Sequence, residues 1–88
     1  MIGERIKILR EFKGLSRRKL ENETGIADYT WQAVEIGKQV ANESHIEALA
    51  KLWPEFKFWL VFGETMPEYG QISPELEKIR VNLKTGSQ

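Results

Sequence analysis

Arg17, Arg18 and Lys19 stand in a row at the start of a short helical stretch, the end of a helix where the dipole does not favour cations. Contact with a phosphate would explain that cost, because phosphate oxygens accept hydrogen bonds from arginine and lysine alike. Further on, Tyr29 and Gln32 lie on a second short helical stretch. A glutamine amide donates and accepts at once and can pair bidentately with N6 and N7 of adenine, while a tyrosine can stack on a thymine methyl or bond a phosphate. Against these stand plainer readings: a solvated charged face for the basic run, and an exposed polar face for Tyr29 and Gln32. The chemistry on offer is recognition rather than bond-making. Carboxylates are scattered along amphipathic stretches, and no nucleophile–base pair, glycine-rich phosphate loop or paired acid stands out, so the chain is expected not to be an enzyme. His45 is the only histidine and cysteine is absent. A lone helical histidine reads as a surface or capping residue, so no metal, cofactor or small-molecule ligand is expected.

Those side chains need two short helices held at a fixed angle. Ser16 can cap the first and Gly25 can end it in a left-handed conformation. Ile26 enters the turn, the second helix starts at about Asp28, and Gly37 stops it. This is the helix-turn-helix spacing with which small regulators put a helix into the DNA major groove. Neither helix is long enough to be stable alone, so both must dock on the rest of the chain.

Periodicity supplies the docking surfaces. Ile2, Ile6, Leu9 and Phe12 give a first helix one apolar stripe, ended by Gly14. The helix-turn-helix offers Leu20, the Thr24 methyl, Trp31 and Val34 for burial. After a loop over 38–41, Asn42 or Ser44 caps a fourth helix, with Ser44 and Glu47 at capping-box spacing, and Ile46, Leu49, Ala50 and Trp53 turn inward. Pro54 suits the first position of a fifth helix running to about Phe62 and closed by Gly63. Phe56, Trp59 and Leu60 form one apolar face of it, while Phe58, Val61 and Phe62 form another. The second face needs the tail or a second subunit. Residues 64–71 read as a loop, Ser73 and Pro74 open a last helix with the stripe Leu76, Ile79 and Leu83, and 84–88 should fray. The organisation expected is a helix-turn-helix domain over 1–63, then a loop and C-terminal helix over 64–88 serving as tail or dimerisation element.

Eighty-eight residues, 41% hydrophobic, make one domain with one modest core. Formal net charge is zero, with 13 basic and 13 acidic side chains, which weighs mildly against avid nucleic-acid binding. The distribution favours the motif: 1–38 carry eight Lys/Arg against six Asp/Glu, and 39–88 carry five against seven. Glu4, Arg5 and Lys7 interrupt 2–9, so no targeting segment is seen there, and the longest apolar run, 58–62, is too short to span a bilayer. A cytoplasmic protein with no membrane partner is the expectation.

Over roughly 2–53 the sequence resembles the lambda-repressor-like, Xre/Cro-type helix-turn-helix family. The marks are Ile6 with Leu9-Arg10, Leu15-Ser16, Leu20, Thr24-Gly25-Ile26, Thr30, Glu35 with Gly37, and Leu49-Ala50. The resemblance implies an all-α, five-helix DNA-binding bundle, here with an added short C-terminal helix, whose third helix reads bases. Asp28, Tyr29, Gln32 and Ala33 then take the base-facing positions. Arg17 falls where the family usually has a phosphate-touching glutamine; Arg18 continues the basic run, and Thr30, Lys38, Gln39 and Asn42 fall at phosphate-contacting positions. Arg10 and Glu35 match a structural ion pair bridging the first and third helices.

Three departures are visible. Glu21 stands where the family prefers alanine, so it must tilt outward or alter the helix crossing. Ala27 replaces the usual Ser/Thr cap, which favours Asp28 as N-cap over Asp28 as base reader. Ala41 replaces a common proline. The function implied is a sequence-specific double-stranded DNA-binding transcriptional regulator of repressor type, expected to act as a homodimer. Phe58, Val61, Phe62, Leu76, Ile79 and Leu83 are expected to pack either across a dimer or between tail and bundle within one subunit. The alternative from another class is a protein-interaction module of antitoxin or adaptor type, which Glu21, Asp28 and the zero net charge favour.

Overall fold

The computed structural model describes residues 1–86, and over them the chain is all-helical. Six α-helices lie along the described residues: α1 Ile2–Phe12, α2 Arg17–Thr24, α3 Asp28–Glu35, α4 Glu43–Leu52, α5 Lys57–Phe62 and α6 Pro74–Gly86. Two short 3-10 turns, Pro54–Phe56 and Pro67–Tyr69, punctuate the second half. No helix among the described residues is long and apolar enough to cross a membrane.

The expected punctuation is present where the backbone demands it. The Ser16 hydroxyl accepts from the Lys19 N–H at 3.1 Å, capping α2. Gly25 ends α2 at φ +78° and Gly63 ends α5 at φ +74°, conformations that cost any residue with a Cβ. Pro54 opens a 3-10 turn that feeds into α5, so the expected fifth helix is a turn joined to a helix.

One core ties α1 to α5 together. Ile6, Leu9, Leu20, Trp31, Val34, Leu49, Phe56 and Leu60 are each at most 2% exposed. These are the inward positions of the apolar stripes, and their burial docks two eight-residue helices that cannot stand alone. Of the four residues expected inward from α4, Leu49 is buried, while Ile46, Ala50 and Trp53 are half-buried. Gly3 lets α1 approach the end of α3, since a Cβ there would run into the Val34 carbonyl.

Two sequence expectations need correction. Asn42, one of the two residues expected to cap α4, is the cap, and the expected box of Ser44 with Glu47 does not form. Asn42 Oδ1 accepts from the N–H groups of Ser44 and His45 at 2.9 and 3.3 Å, and the box is closed by His45 Nδ1, not Glu47. Of its two expected roles, surface or cap, His45 takes the capping one, and it is buried. The second correction concerns the end of the chain: α6 continues through Gly86, beyond the expected end at residue 83, while the fraying expected for residues 87 and 88 lies outside the described residues.

The segment after α5 folds back on its own subunit. The Gln71 side chain accepts from the Phe58 N–H at 2.9 Å and donates to the Pro54 carbonyl at 3.0 Å, satisfying the start of α5. Ser73 Oγ accepts from the Leu76 N–H at 3.1 Å and caps α6 as expected. α6 then lies against α1, with Lys78 Nζ 5.7 Å from the Phe12 ring.

Candidate nucleic-acid interface

α3 is held by its back and free on its front. Trp31 and Val34 are buried at 0% and 1% exposure, whereas Tyr29 is 74% exposed and Gln32 is exposed beside it. Asp28, Thr30 and Ala33 are half-buried at the margins of the same helix. Of the expected base-facing positions, Tyr29 and Gln32 therefore present their polar groups most openly. Past α3 the chain turns back beneath it. The N–H groups of Lys38 and Gln39 both donate to the Ala33 carbonyl, at 2.9 and 3.1 Å, which fixes these two exposed side chains at the end of the helix.

The basic start of α2 meets the same end. Glu35 is buried and accepts from Arg10 through two bonds, Nε at 2.8 Å and Nη2 at 3.1 Å. It also accepts from Arg17 Nε at 3.1 Å. Arg10 donates further to the Leu15 carbonyl at 2.7 Å. The pairing of Arg10 with Glu35 is the planar, two-bond fork that matches guanidinium to carboxylate. The hydrogen bond to Glu35 raises the Arg10 pKa against the opposing effect of desolvation. Two guanidinium groups share one carboxylate, so the cluster keeps an excess positive charge at the start of α2.

Arg17 thus has a structural role that the sequence reading did not assign. Its Nε is spent on Glu35, which accounts for a cation at a helix N-terminus without any phosphate. Its Nη atoms have no hydrogen bond among the described residues. Arg18 and Lys19 are exposed and make no ion pair there. Asn42 is exposed, but its side-chain oxygen is committed to capping α4, leaving its amide hydrogens outward.

The N-terminus of α3 is arranged differently from the sequence expectation. Ala27 occupies the cap position and contributes no side-chain bond, and Asp28 is the first helical residue, not the cap. The acceptor comes from α2: Glu21 Oε1 takes the Asp28 N–H at 3.0 Å. Glu21 does not tilt away into solvent but reaches across the turn. A cap supplied seven residues upstream has no short-range signature, which is why the local pattern at 27–28 suggested Asp28. The Asp28 carboxylate itself has no hydrogen bond or ion pair among the described residues.

The residues expected at a dimer or tail contact divide. Phe58, Val61 and Leu76 are half-buried within the subunit, whereas Phe62, Ile79 and Leu83 are exposed at 64%, 48% and 69%. Phe58 and Phe62 pack ring to ring at 5.0 Å. No group of three or more His, Cys, Asp or Glu side chains among the described residues is placed to hold a metal ion.

No protein-family model matches the chain, and no curated protein matches it. Among solved structures it is similar to Pf6r from the filamentous phage Pf6 of Pseudomonas aeruginosa PA01, at 32% sequence identity and a TM-score of 0.76. The alignment covers 96% of this chain and 98% of that one. At that identity over nearly all of both chains, the protein belongs to the same family as Pf6r.

Proposed function

We propose that this Pf6r-family protein is a sequence-specific double-stranded DNA-binding transcriptional regulator of the lambda-repressor-like, Xre/Cro type, a repressor that occupies its site as a homodimer. The observation that carries the reading is the two-sidedness of α3. Its inner residues Trp31 and Val34 are locked in the core, so the outward Tyr29 and Gln32 are presented on a rigid support. Rigid presentation is what discrimination between base edges requires. In this reading Gln32 reads adenine, Tyr29 and Ala33 contact the thymine methyl or neighbouring edges, and Asp28, released from capping, accepts from cytosine N4.

Arg17, Arg18, Thr30, Lys38, Gln39 and Asn42 contact phosphates on either side. Zero net charge is compatible with this because the cations are gathered near the reading helix, and local field governs approach. Exposed Phe62, Ile79 and Leu83 support self-association, which couples two half-sites and multiplies a specificity that one short helix cannot supply.

The same exposed apolar side chains, with Tyr69 at 74% exposure, favour a second reading: a protein-interaction module of antitoxin or adaptor type. Salt separates the two. Binding to a fluorescent duplex through several phosphates weakens by orders of magnitude between about 50 and 200 mM salt, whereas apolar docking hardly responds. The DNA reading expects that steep dependence, and a shallower one in Arg18→Ala and Lys38→Ala. Absence of duplex binding at the lowest salt would favour the interaction module.

A further inference from the structure

Glu21 and Thr24 lie one turn apart on α2, and Asp28 and Trp31 lie one turn apart on α3. Two hydrogen bonds join them in register. Glu21 Oε1 accepts from the Asp28 N–H at 3.0 Å, and Thr24 Oγ1 accepts from Trp31 Nε1 at 3.2 Å. The Thr24 hydroxyl also accepts from the Ile26 N–H at 3.2 Å and donates to the Leu20 carbonyl at 2.7 Å, so it is fixed in place. One bond between two helices permits a swing about it. Two bonds set three residues apart on each helix, about 4.5 Å of helical rise, restrain both the roll of α3 about its axis and its tilt from α2.

We propose that Glu21 is a positioning residue for base reading, the outer of two rungs that set the angle at which α3 presents Tyr29 and Gln32. The inference rests on the DNA-reading function proposed above. The inner rung, Thr24 to Trp31, is anchored in the core, since Trp31 is fully buried. The outer rung stands at the turn, where Ala27 supplies no side-chain cap and no other side chain bonds the Asp28 N–H. Removing it leaves the core intact and lets the first turn of α3 shift. The groups that move are those nearest the base edges, so the consequence is loss of discrimination more than loss of affinity. Phosphate contacts from Arg18 and Lys38 tolerate such a shift, because they carry charge rather than register.

The test uses the full chain in three forms: the unaltered protein, Glu21→Ala and Glu21→Gln. The amide of glutamine keeps an acceptor oxygen for the Asp28 N–H. Hydrogen exchange at the Asp28 amide reads the rung directly and is expected to speed up in Glu21→Ala but not in Glu21→Gln. Each form is then used to select duplexes from a randomised DNA library, and affinities are measured for the selected and an unselected duplex. Glu21→Ala is expected to lose on the order of tenfold in preference for the selected duplex, the worth of about one base contact. Its affinity for the unselected duplex should not fall, since each variant removes one carboxylate that repels phosphates, and Glu21→Gln should restore the preference. Equal preference in Glu21→Ala and the unaltered protein would overturn the positioning role while leaving the DNA reading standing. No selected sequence with the unaltered protein would overturn the DNA reading and the positioning role with it.

Discussion

Asn42 and His45 cap each other at the start of α4: the Asn42 N–H donates to His45 Nδ1 at 3.0 Å, and Asn42 Oδ1 accepts from the His45 N–H at 3.3 Å. The first bond requires an unprotonated Nδ1. Burial, at 3% exposure and with the Trp31 ring 5.5 Å away, lowers the His45 pKa below its ordinary value. The unfolded chain therefore takes up the proton before the folded one does. Stability from this box is complete above the ordinary histidine pKa of about 6.5 and is lost as pH falls through the lower folded value.

Thermal midpoints between about pH 7 and pH 5 should accordingly fall with acidification in the unaltered protein. In His45→Gln they should fall distinctly less, because glutamine can close the same box and carries no charge. Identical slopes for the two proteins would show that the box does not titrate.

Arg10 and Glu35 are both buried, at 8% and 5% exposure, and form a two-bond pair. Arg10→Met strands a carboxylate in the core with Arg17 as its remaining partner, a loss of up to about 3–5 kcal/mol when a buried pair is broken. Urea unfolding is expected to show a large drop for Arg10→Met and little change for Lys7→Met at an exposed site on the same helix. Equal midpoints for the two would contradict the assignment.

Gly3 reverses the usual preference of helices for alanine. An added methyl would meet the Val34 carbonyl, so α1 and α3 would have to separate. Gly3→Ala should destabilise by about 1–3 kcal/mol, the cost of overpacking, despite gaining helix propensity worth up to about 1 kcal/mol. A rise in the unfolding midpoint would show that α1 does not press on α3.

Phe62 is 64% exposed on the outer face of α5. If copies of the chain associate through this face, Phe62→Ser lowers the sedimentation-average mass at high protein concentration and leaves the unfolding midpoint of the monomer nearly unchanged. A strict monomer in the unaltered protein, with and without DNA, would rule out the homodimer.

What could be read from the sequence, and what could not, follows the range of the interactions involved. Ser16, Gly25, Gly63 and Ser73 act on neighbours within a turn, so their roles follow from residue type and spacing. The stripe of Ile6 and Leu9 and the pair Trp31 and Val34 follow from helical period. The Arg10–Glu35 pair was reached only through family resemblance, because residues 25 apart have no local pattern. Arg5 escaped altogether: its guanidinium donates to the carbonyls of Leu60 and Val61 at 2.8 and 2.9 Å, closing α5 from 55 and 56 residues away. Glu21 was noticed as a misfit, but its partner was hidden across the turn. Reading the α4 box as Ser44–Glu47 has a different cause. Both that spacing and Asn42–His45 fit a box, and only tertiary burial of the imidazole decides between them.

Base reading by α3 is tested by selection of duplexes from a randomised DNA library with the full chain near physiological salt. An enriched inverted repeat with half-sites about one helical turn apart is expected, with that enrichment lost in Gln32→Ala. No enrichment at any salt concentration would rule out sequence-specific DNA binding and favour a protein partner.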